Sequence, residues 1–531
     1  MRAVPLAIAA LMVACGFVLA QDAPLTAEAL VAARHEAAHR ERRVIFYNDA
    51  NDAVYQCDEP TAENLLAQRT SALAGTQVDS IFYCTWCAGF GLCVHRSDVA
   101  EQFTTTEGRY ARNITGALFE KGTDPLQITV DFCRANGIEI VWSMRMNDIH
   151  DGGVRNGELA APELFPQFKR DHPQWLLGAP GEALPGIPGR EFWSAVDYSV
   201  PEVRERTFRL IEDVCRRYDI AGVELDFSRH FAYFGSHART GAASAADCEA
   251  MTALIARVRA MADEVAMARG TPLLVAVRVP DCPDYSRTIA LDWQQWLEDG
   301  LVDLLVAGGV FRLRPWEDVV ALGHEHEVPV YASLSPSYIS RDQRKPRNRV
   351  NAYRARAAAA WEAGVDGIQM ANFPHPESEL WRELGSPETL RLAAKDYWPS
   401  VLGPGMANQA LRDGERFMRL PKLCPDRPEV LVPGTPLTVR VRMVEPAREP
   451  EPEVTLTLNF LDLVAASLLQ VRFNETELAM DTVTPEGLVT YTVPPDAVRA
   501  GWNEVRLLFE PQYYAASVLQ DVQVSVRHPA L

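Results

Sequence analysis

PEVRERTFRLIEDVCRRYDIAGVELDFSRH, residues 201–230, passes from one periodicity to another. Pro201 opens a helix, and Val203, Thr207, Leu210, Ile211, Val214 and Tyr218 recur at three- and four-residue steps along one face. After Asp219 the run IAGVELDF reads as a buried strand, yet it carries Glu224 and Asp226 and then meets Arg229 and His230. Carboxylates in a buried strand are costly unless partnered. In a parallel barrel they belong where a strand reaches the mouth, because the chemistry of such folds lies at the C-terminal strand ends.

The same helix-to-strand alternation extends in both directions. Strands are predicted at 42–49, 78–86, 138–148, 220–227, 272–280, 302–309, 328–335 and 365–373. Helical stretches separate them, among them 61–75, 244–269, 290–299, 315–326 and 348–363, several stopped by glycine. Strand–helix pairs in this order predict an α/β chain whose residues 40–400 form a (β/α)8 TIM barrel. An open doubly wound sheet is the rival, but no glycine-rich phosphate loop follows the first strand.

Beyond residue 400, prolines 404, 421, 425 and 428 mark a transition. Period-2 runs follow at 437–443, 454–460, 468–474, 488–494, 503–509 and 522–527. They predict an all-β sandwich over 420–531.

The chain has 531 residues, and a 47% apolar fraction is ample for cores without covalent staples. A formal charge of −19 argues against nucleic acid and anionic membranes as partners. Residues 1–20, MRAVPLAIAALMVACGFVLA, read as a signal peptide, which predicts a secreted or periplasmic protein; lipoprotein anchoring at Cys15 is the less favoured reading. No other stretch is apolar enough to span a bilayer. Nine cysteines remain after the signal, an odd number. CTWCAGFGLCVH (84–95) suggests a local disulfide or plain packing ahead of zinc, for want of a second ligand pair. No GxSxG occurs, and neither a metal nor another cofactor is called for.

Strand parity selects the candidate site. Val223, Leu225 and Phe227 share one face of the fourth strand, leaving Glu224 and Asp226 to point inward. The third strand splits in the same way, with Ser143, Arg145 and Asn147 inward, and the fifth contributes Arg278. Crowded carboxylates beside arginines acquire separated pKa values, as an acid and a base require. Asp226, the outermost, is the candidate reacting carboxylate and Glu224 its partner. A buried ion network that holds the strands in register is the structural alternative. Asp49, His150 and His230 stand at the same rim as substrate-binding candidates, though Asn48 competes with Asp49 for the inward face of the first strand. Asp148, His150 and Asp151 are either solvated loop residues or cation ligands. Nine aromatics crowd these loops, among them Phe231, Phe311, Trp316 and Tyr338, and sugar rings stack on such side chains.

WSMRMNDIH (142–150), FWSAVDYSVPEVRERTFRLIEDVCRRYDIAGVELDF (192–227) and AGVDGIQMANF (363–373) resemble the glycoside hydrolase-like barrel proteins, especially the glycosyl hydrolase-like family 10 group. The resemblance covers about residues 40–400. It implies a secreted enzyme acting on a glycan, with Asp226 as a catalytic candidate and the trailing sandwich as an accessory domain. Many relatives carry adjacent carboxylates at this strand end, where the present chain has Glu-Leu-Asp-Phe. The expectation is a secreted glycoside hydrolase acting on a poly- or oligosaccharide through Asp226 and Glu224. The alternatives are a non-catalytic glycan-binding barrel and a metal-dependent barrel enzyme with Asp148, His150, Glu224 and Asp226 as ligands.

Overall fold

The computed structural model describes residues 26–529 except 190, 372, 404, 445 and 511–516. The expected signal peptide lies outside the described residues. No described helix is long and apolar enough to cross a membrane.

The strands expected from periodicity all form, each trimmed at one end or both: β1 Val44–Asn48, β2 Val78–Tyr83, β3 Glu139–Arg145, β4 Gly222–Asp226, β5 Leu274–Val279, β6 Leu304–Gly309, β7 Val330–Leu334 and β8 Gly367–Ala371. They pair in parallel and close into a barrel in sequence order, β8 returning to β1. Helices such as Pro201–Arg217 and Ala245–Arg269 lie between them, the second opened by a capping box on Ser244 and Asp247. The outward faces of the strands are largely apolar, aromatic as well as aliphatic, and buried.

Register fixes what shares a level inside the barrel. Arg145 of β3, Asp226 of β4 and Arg278 of β5 are direct neighbours. One layer below, Ser143, Glu224 and Ala276 are neighbours, the alanine leaving room beside the carboxyl. A separate ion network closes the opposite, N-terminal end. Arg42 donates to both oxygens of Glu139 at 2.7 and 2.8 Å, and Ser80 donates to the same carboxylate at 2.6 Å. The network that holds strands in register is thus found at the foot of the barrel, where it serves stability.

The second domain follows the period-2 expectation and adds short edge strands that periodicity missed. β9 Lys395–Tyr397, β10 Glu429–Leu431, β11 Leu437–Met443, β12 Glu453–Asp462, β13 Leu469–Phe473, β14 Thr476–Leu478, β15 Met480–Val483, β16 Leu488–Thr492, β17 Gly501–Phe509 and β18 Ser517–Arg527 build it. They form two antiparallel sheets, β9–β18–β12–β16–β15 with β10 also on β18, and β11–β17–β13–β14. Alternate residues of both sheets, such as Leu456, Val489, Val505 and Val524, meet in one core. Arg347 of the barrel and Asp521 of β18 form a buried ion pair at 2.6 Å between the domains.

The nine described cysteines are buried and free. Cys87 and Cys93 lie 3.7 Å apart as thiols, and His95 contacts the Thr85 hydroxyl at 2.6 Å, so the 84–95 stretch is packed into the core.

Candidate functional site

Two layers of polar side chains fill the upper barrel. In the lower, Glu224 accepts from Ser143 Oγ at 2.5 Å and from Gln369 Nε2 at 2.9 Å. Gln369 in turn accepts from Ser333 Oγ at 3.0 Å. Burial first, then the charge of Asp226, pushes the Glu224 carboxyl up to about 7. In the upper layer, the Tyr47 hydroxyl donates to Asp226 Oδ2 at 3.1 Å, and Arg278 Nη1 reaches the same oxygen at 3.4 Å. The Ser228 N–H donates to Oδ1 at 2.8 Å. The Arg278 guanidinium lies over the Tyr47 ring, 5.0 Å from its centroid.

A ring of charge surrounds this layer. Arg145 pairs with Asp148 at 3.1 Å and approaches Asp49 at 3.9 Å; Asp49 is held by Arg69 at 2.7 Å. Burial alone would raise Asp49, but Arg69 and Arg145 draw it below the usual carboxylate range. Asp148 is likewise pushed up by burial and held well below that range by His150 and Arg145. His150 Nδ1 donates to Asp148 at 2.8 Å, while its Nε2 accepts from Arg229 at 2.9 Å, which fixes the tautomer. His230 Nδ1 accepts from the Ile149 N–H at 3.3 Å, so the neutral ring carries its proton on Nε2. Burial holds His230 well below the ordinary histidine pKa.

Open space begins one level higher. A cleft of about 590 Å³ is walled by Phe192, Phe231 and Tyr338 together with Arg229, His230 and Glu191. Glu191 is the one carboxylate among its described lining residues. Successive glycines end β6 just before Val310, which lines the cleft. Gly308 (φ 87) and Gly309 (φ 152) adopt backbone angles that favour glycine, and a Cβ at 309 would meet Ser228 Cβ at 3.1 Å.

The four inward residues expected from parity, Arg145, Glu224, Asp226 and Arg278, therefore come together, but they are covered: the Asp226 side chain has 0% of its surface exposed. The place at the barrel mouth expected for Asp226 is corrected: its carboxylate is fully buried and bonded by Tyr47, Arg278 and the Ser228 N–H. Asn147, expected in the mouth, instead donates to the carbonyls of Val196 and Ala232 at 3.0 and 2.6 Å and accepts from the Val196 N–H at 3.2 Å. β3 stops at Arg145, so strand parity no longer governs position 147. Asp281 is occupied by the N–H groups of Leu313 and Arg314 and clamps that loop. Tyr47, Gln369 and Glu191 were not singled out in the sequence. Parity with Ile45 marks Tyr47 as inward; Glu191 carries no local signal.

Asp148, His150 and His230 bring ligand-type atoms within 4.8 Å of one another. Arg145 on Asp148 and Arg229 on His150 place two guanidinium charges against that group. The donor set suits an internal hydrogen-bond relay better than a cation.

These features define a (β/α)8 barrel with a charged inner layer under an aromatic-walled mouth. Scans against family models and curated proteins return no match. Among solved structures, the glycoside hydrolase domain of PgaB (BpsB) from Bordetella bronchiseptica is similar at 11% identity, over 65% of this chain and 99% of that one, with a TM-score of 0.39. The GH36 alpha-galactosidase AgaA from Geobacillus stearothermophilus is similar at 13% identity, over 92% and 56%, with a TM-score of 0.34. The catalytic domain of psychrophilic chitinase B from Arthrobacter TAD20 is similar at 9% identity, over 68% and 97%, with a TM-score of 0.38. Likeness of this depth decides neither reaction nor substrate, which must be argued from the side chains.

Proposed function

We propose that the chain is an exported carbohydrate-active barrel enzyme, a glycoside hydrolase of the glycosyl hydrolase-like family 10 kind, in which Asp226 is the reacting carboxylate. One observation carries this reading: Asp226 ends β4 facing inward, held by Tyr47, Arg278 and the Ser228 N–H, beneath a cleft walled by Phe192, Phe231 and Tyr338. Aromatic walls accept the apolar faces of sugar rings, while Arg229 and the His230 Nε2–H offer donors to hydroxyls. Cleavage through an oxocarbenium-like transition state needs a carboxylate that stays charged and a second group that delivers a proton. Three donors, from Tyr47, Arg278 and the Ser228 N–H, fix the position of the Asp226 carboxylate. Both oxygens of Glu224 are already hydrogen-bonded below it, so Glu224 tunes the field at Asp226 and does not reach a leaving group. We assign proton delivery to Glu191, the carboxyl side chain that lines the cleft. Substrate entry must displace the side chains that bury Asp226.

A second reading has its own support. The full burial of the Asp226 carboxylate suits a barrel that binds glycans at its mouth without cleaving them. Incubation of purified protein with a polysaccharide panel, read by release of reducing ends, separates the two. Enzymatic cleavage predicts product from at least one glycan and its loss in Asp226→Asn with circular dichroism unchanged. Saturable oligosaccharide binding without product on long incubation would instead establish the binding module.

A further inference from the structure

A second enclosed space lies away from the mouth, where the ends of β6 and β7 meet the segment 396–403 and the sandwich. This cavity measures about 110 Å³, against the ~10–15 Å³ that admits one water. Its wall carries Arg312, Ser335, Arg356, Trp398, Arg442 and Trp502. Arg442 is neutralised by Glu317 and Glu362, and Arg312 has Asp281 at 3.7 Å. Arg356 differs. Its nitrogens bond the carbonyls of Ser335 at 2.7 Å, Ala352 at 3.3 Å and Arg347 at 3.4 Å, its guanidinium lies 4.0 Å from the centroid of the Tyr353 ring, with whose side chain it also interacts, and no carboxylate pairs with it among the described residues. Burial draws its guanidinium below the ordinary arginine value. Beside it the Ser335 hydroxyl, in a residue 1% exposed, has no hydrogen-bond partner. A buried guanidinium without an anionic partner and an idle buried hydroxyl lie on one polar wall, and a single acceptor-rich anion satisfies both.

We propose that this junction cavity is a binding site for a small oxyanion, held by Arg356 and the Ser335 hydroxyl, with Arg312 also in its wall. The site is independent of the cleft chemistry, although the two adjoin: Leu402 and Gly403 line the cavity, and Gly405 and Met406 line the cleft. The Ser335 and Arg347 carbonyls each accept one hydrogen from a terminal nitrogen of Arg356, which leaves a second hydrogen on each to donate to an oxyanion.

The test is calorimetric titration of the full chain with sodium phosphate in one arm and sodium malonate in another, at ionic strength held constant with chloride. Saturable one-to-one binding is expected in one arm, which identifies a tetrahedral inorganic anion or an organic carboxylate as the class. Arg356→Gln is expected to weaken it at least about tenfold, and Ser335→Ala to weaken it measurably. Should Arg356→Gln fail to fold, Ser335→Ala decides, since it removes a hydroxyl that bonds nothing else. Absence of saturation in both arms, or affinity unchanged in Ser335→Ala, would mean that the cavity holds only ordered water, and the proposal would be overturned.

Discussion

Tyr47 and Asp226 meet across the barrel interior, the hydroxyl of the first on β1 donating to the carboxylate of the second on β4 at 3.1 Å. The contact joins strands that share no ladder. It also positions the ring on which Arg278 stacks. Tyr47→Phe keeps the ring and removes the donor. Loss of a hydrogen bond to a charged acceptor costs about 1.5–3 kcal/mol. If Asp226 reacts, turnover on the glycan identified by the panel should fall by roughly tenfold to a hundredfold. Unchanged turnover in this variant would remove Asp226 from the chemistry.

The elevated Glu224 pKa makes stability depend on pH with a defined sign. The native carboxyl holds its proton to about 7, whereas the unfolded one releases it near 4.5. Between these values the native state binds more protons, so this group's contribution to stability is complete below 4.5, falls as pH rises and levels above 7. The fall amounts to up to about 3 kcal/mol. Glu224→Gln should flatten that part of the profile in urea melts taken from pH 4 to pH 8. A profile as steep as in the unaltered protein would place the proton on another group.

The foot of the barrel should behave oppositely to the mouth. Glu139→Gln strands the fully buried Arg42 guanidinium, at an expected cost of about 3–5 kcal/mol. Binding at the cleft should be unaffected at temperatures where the variant remains folded. A denaturant midpoint that did not move would show that Arg42 finds another partner.

His230 should matter for binding and little for folding. Its Nε2–H has no hydrogen-bond partner among the described residues and lies on the cleft wall. His230→Ala is expected to weaken oligosaccharide binding by roughly tenfold, the worth of one hydrogen bond and part of a ring contact. Equal affinity by calorimetry would move the ligand away from this wall.

Asn147 is expected to act through structure. Its amide ties the loops at Val196 and Ala232 to the end of β3. Asn147→Ala should lower stability by about 1–3 kcal/mol through the backbone groups left unpaired. Asn147→Asp retains the bond from the Val196 N–H but sets a carboxylate against two carbonyls, and should be worse. An alanine variant as stable as the unaltered chain, but unable to bind glycan, would restore Asn147 to the site.

The depth to which the sequence could be read differs from strand to strand. On β4 and β5 the alternation of valine and leucine with Glu224, Asp226 and Arg278 leaves one arrangement that keeps hydrocarbon under the helices. On β1 both Tyr47 and Asn48 are polar enough to turn inward, so composition does not choose; pairing with β8 and β2 does. Past Arg145 the strand ends, and Asn147 follows the loops. Glu191 reaches the cleft from a long excursion between β3 and β4 that has no periodicity to read.

From the sequence alone came the barrel, its strand order, the sandwich behind it and the inward set Arg145, Glu224, Asp226 and Arg278, because each follows from a local repeat of hydrophobicity. Whether that set meets solvent was decided only by tertiary structure. Tyr47, Gln369 and the loop residues that cover or partner the carboxylates lie as far as 179 residues away in the chain, and only closure of the barrel brings them within hydrogen-bonding distance.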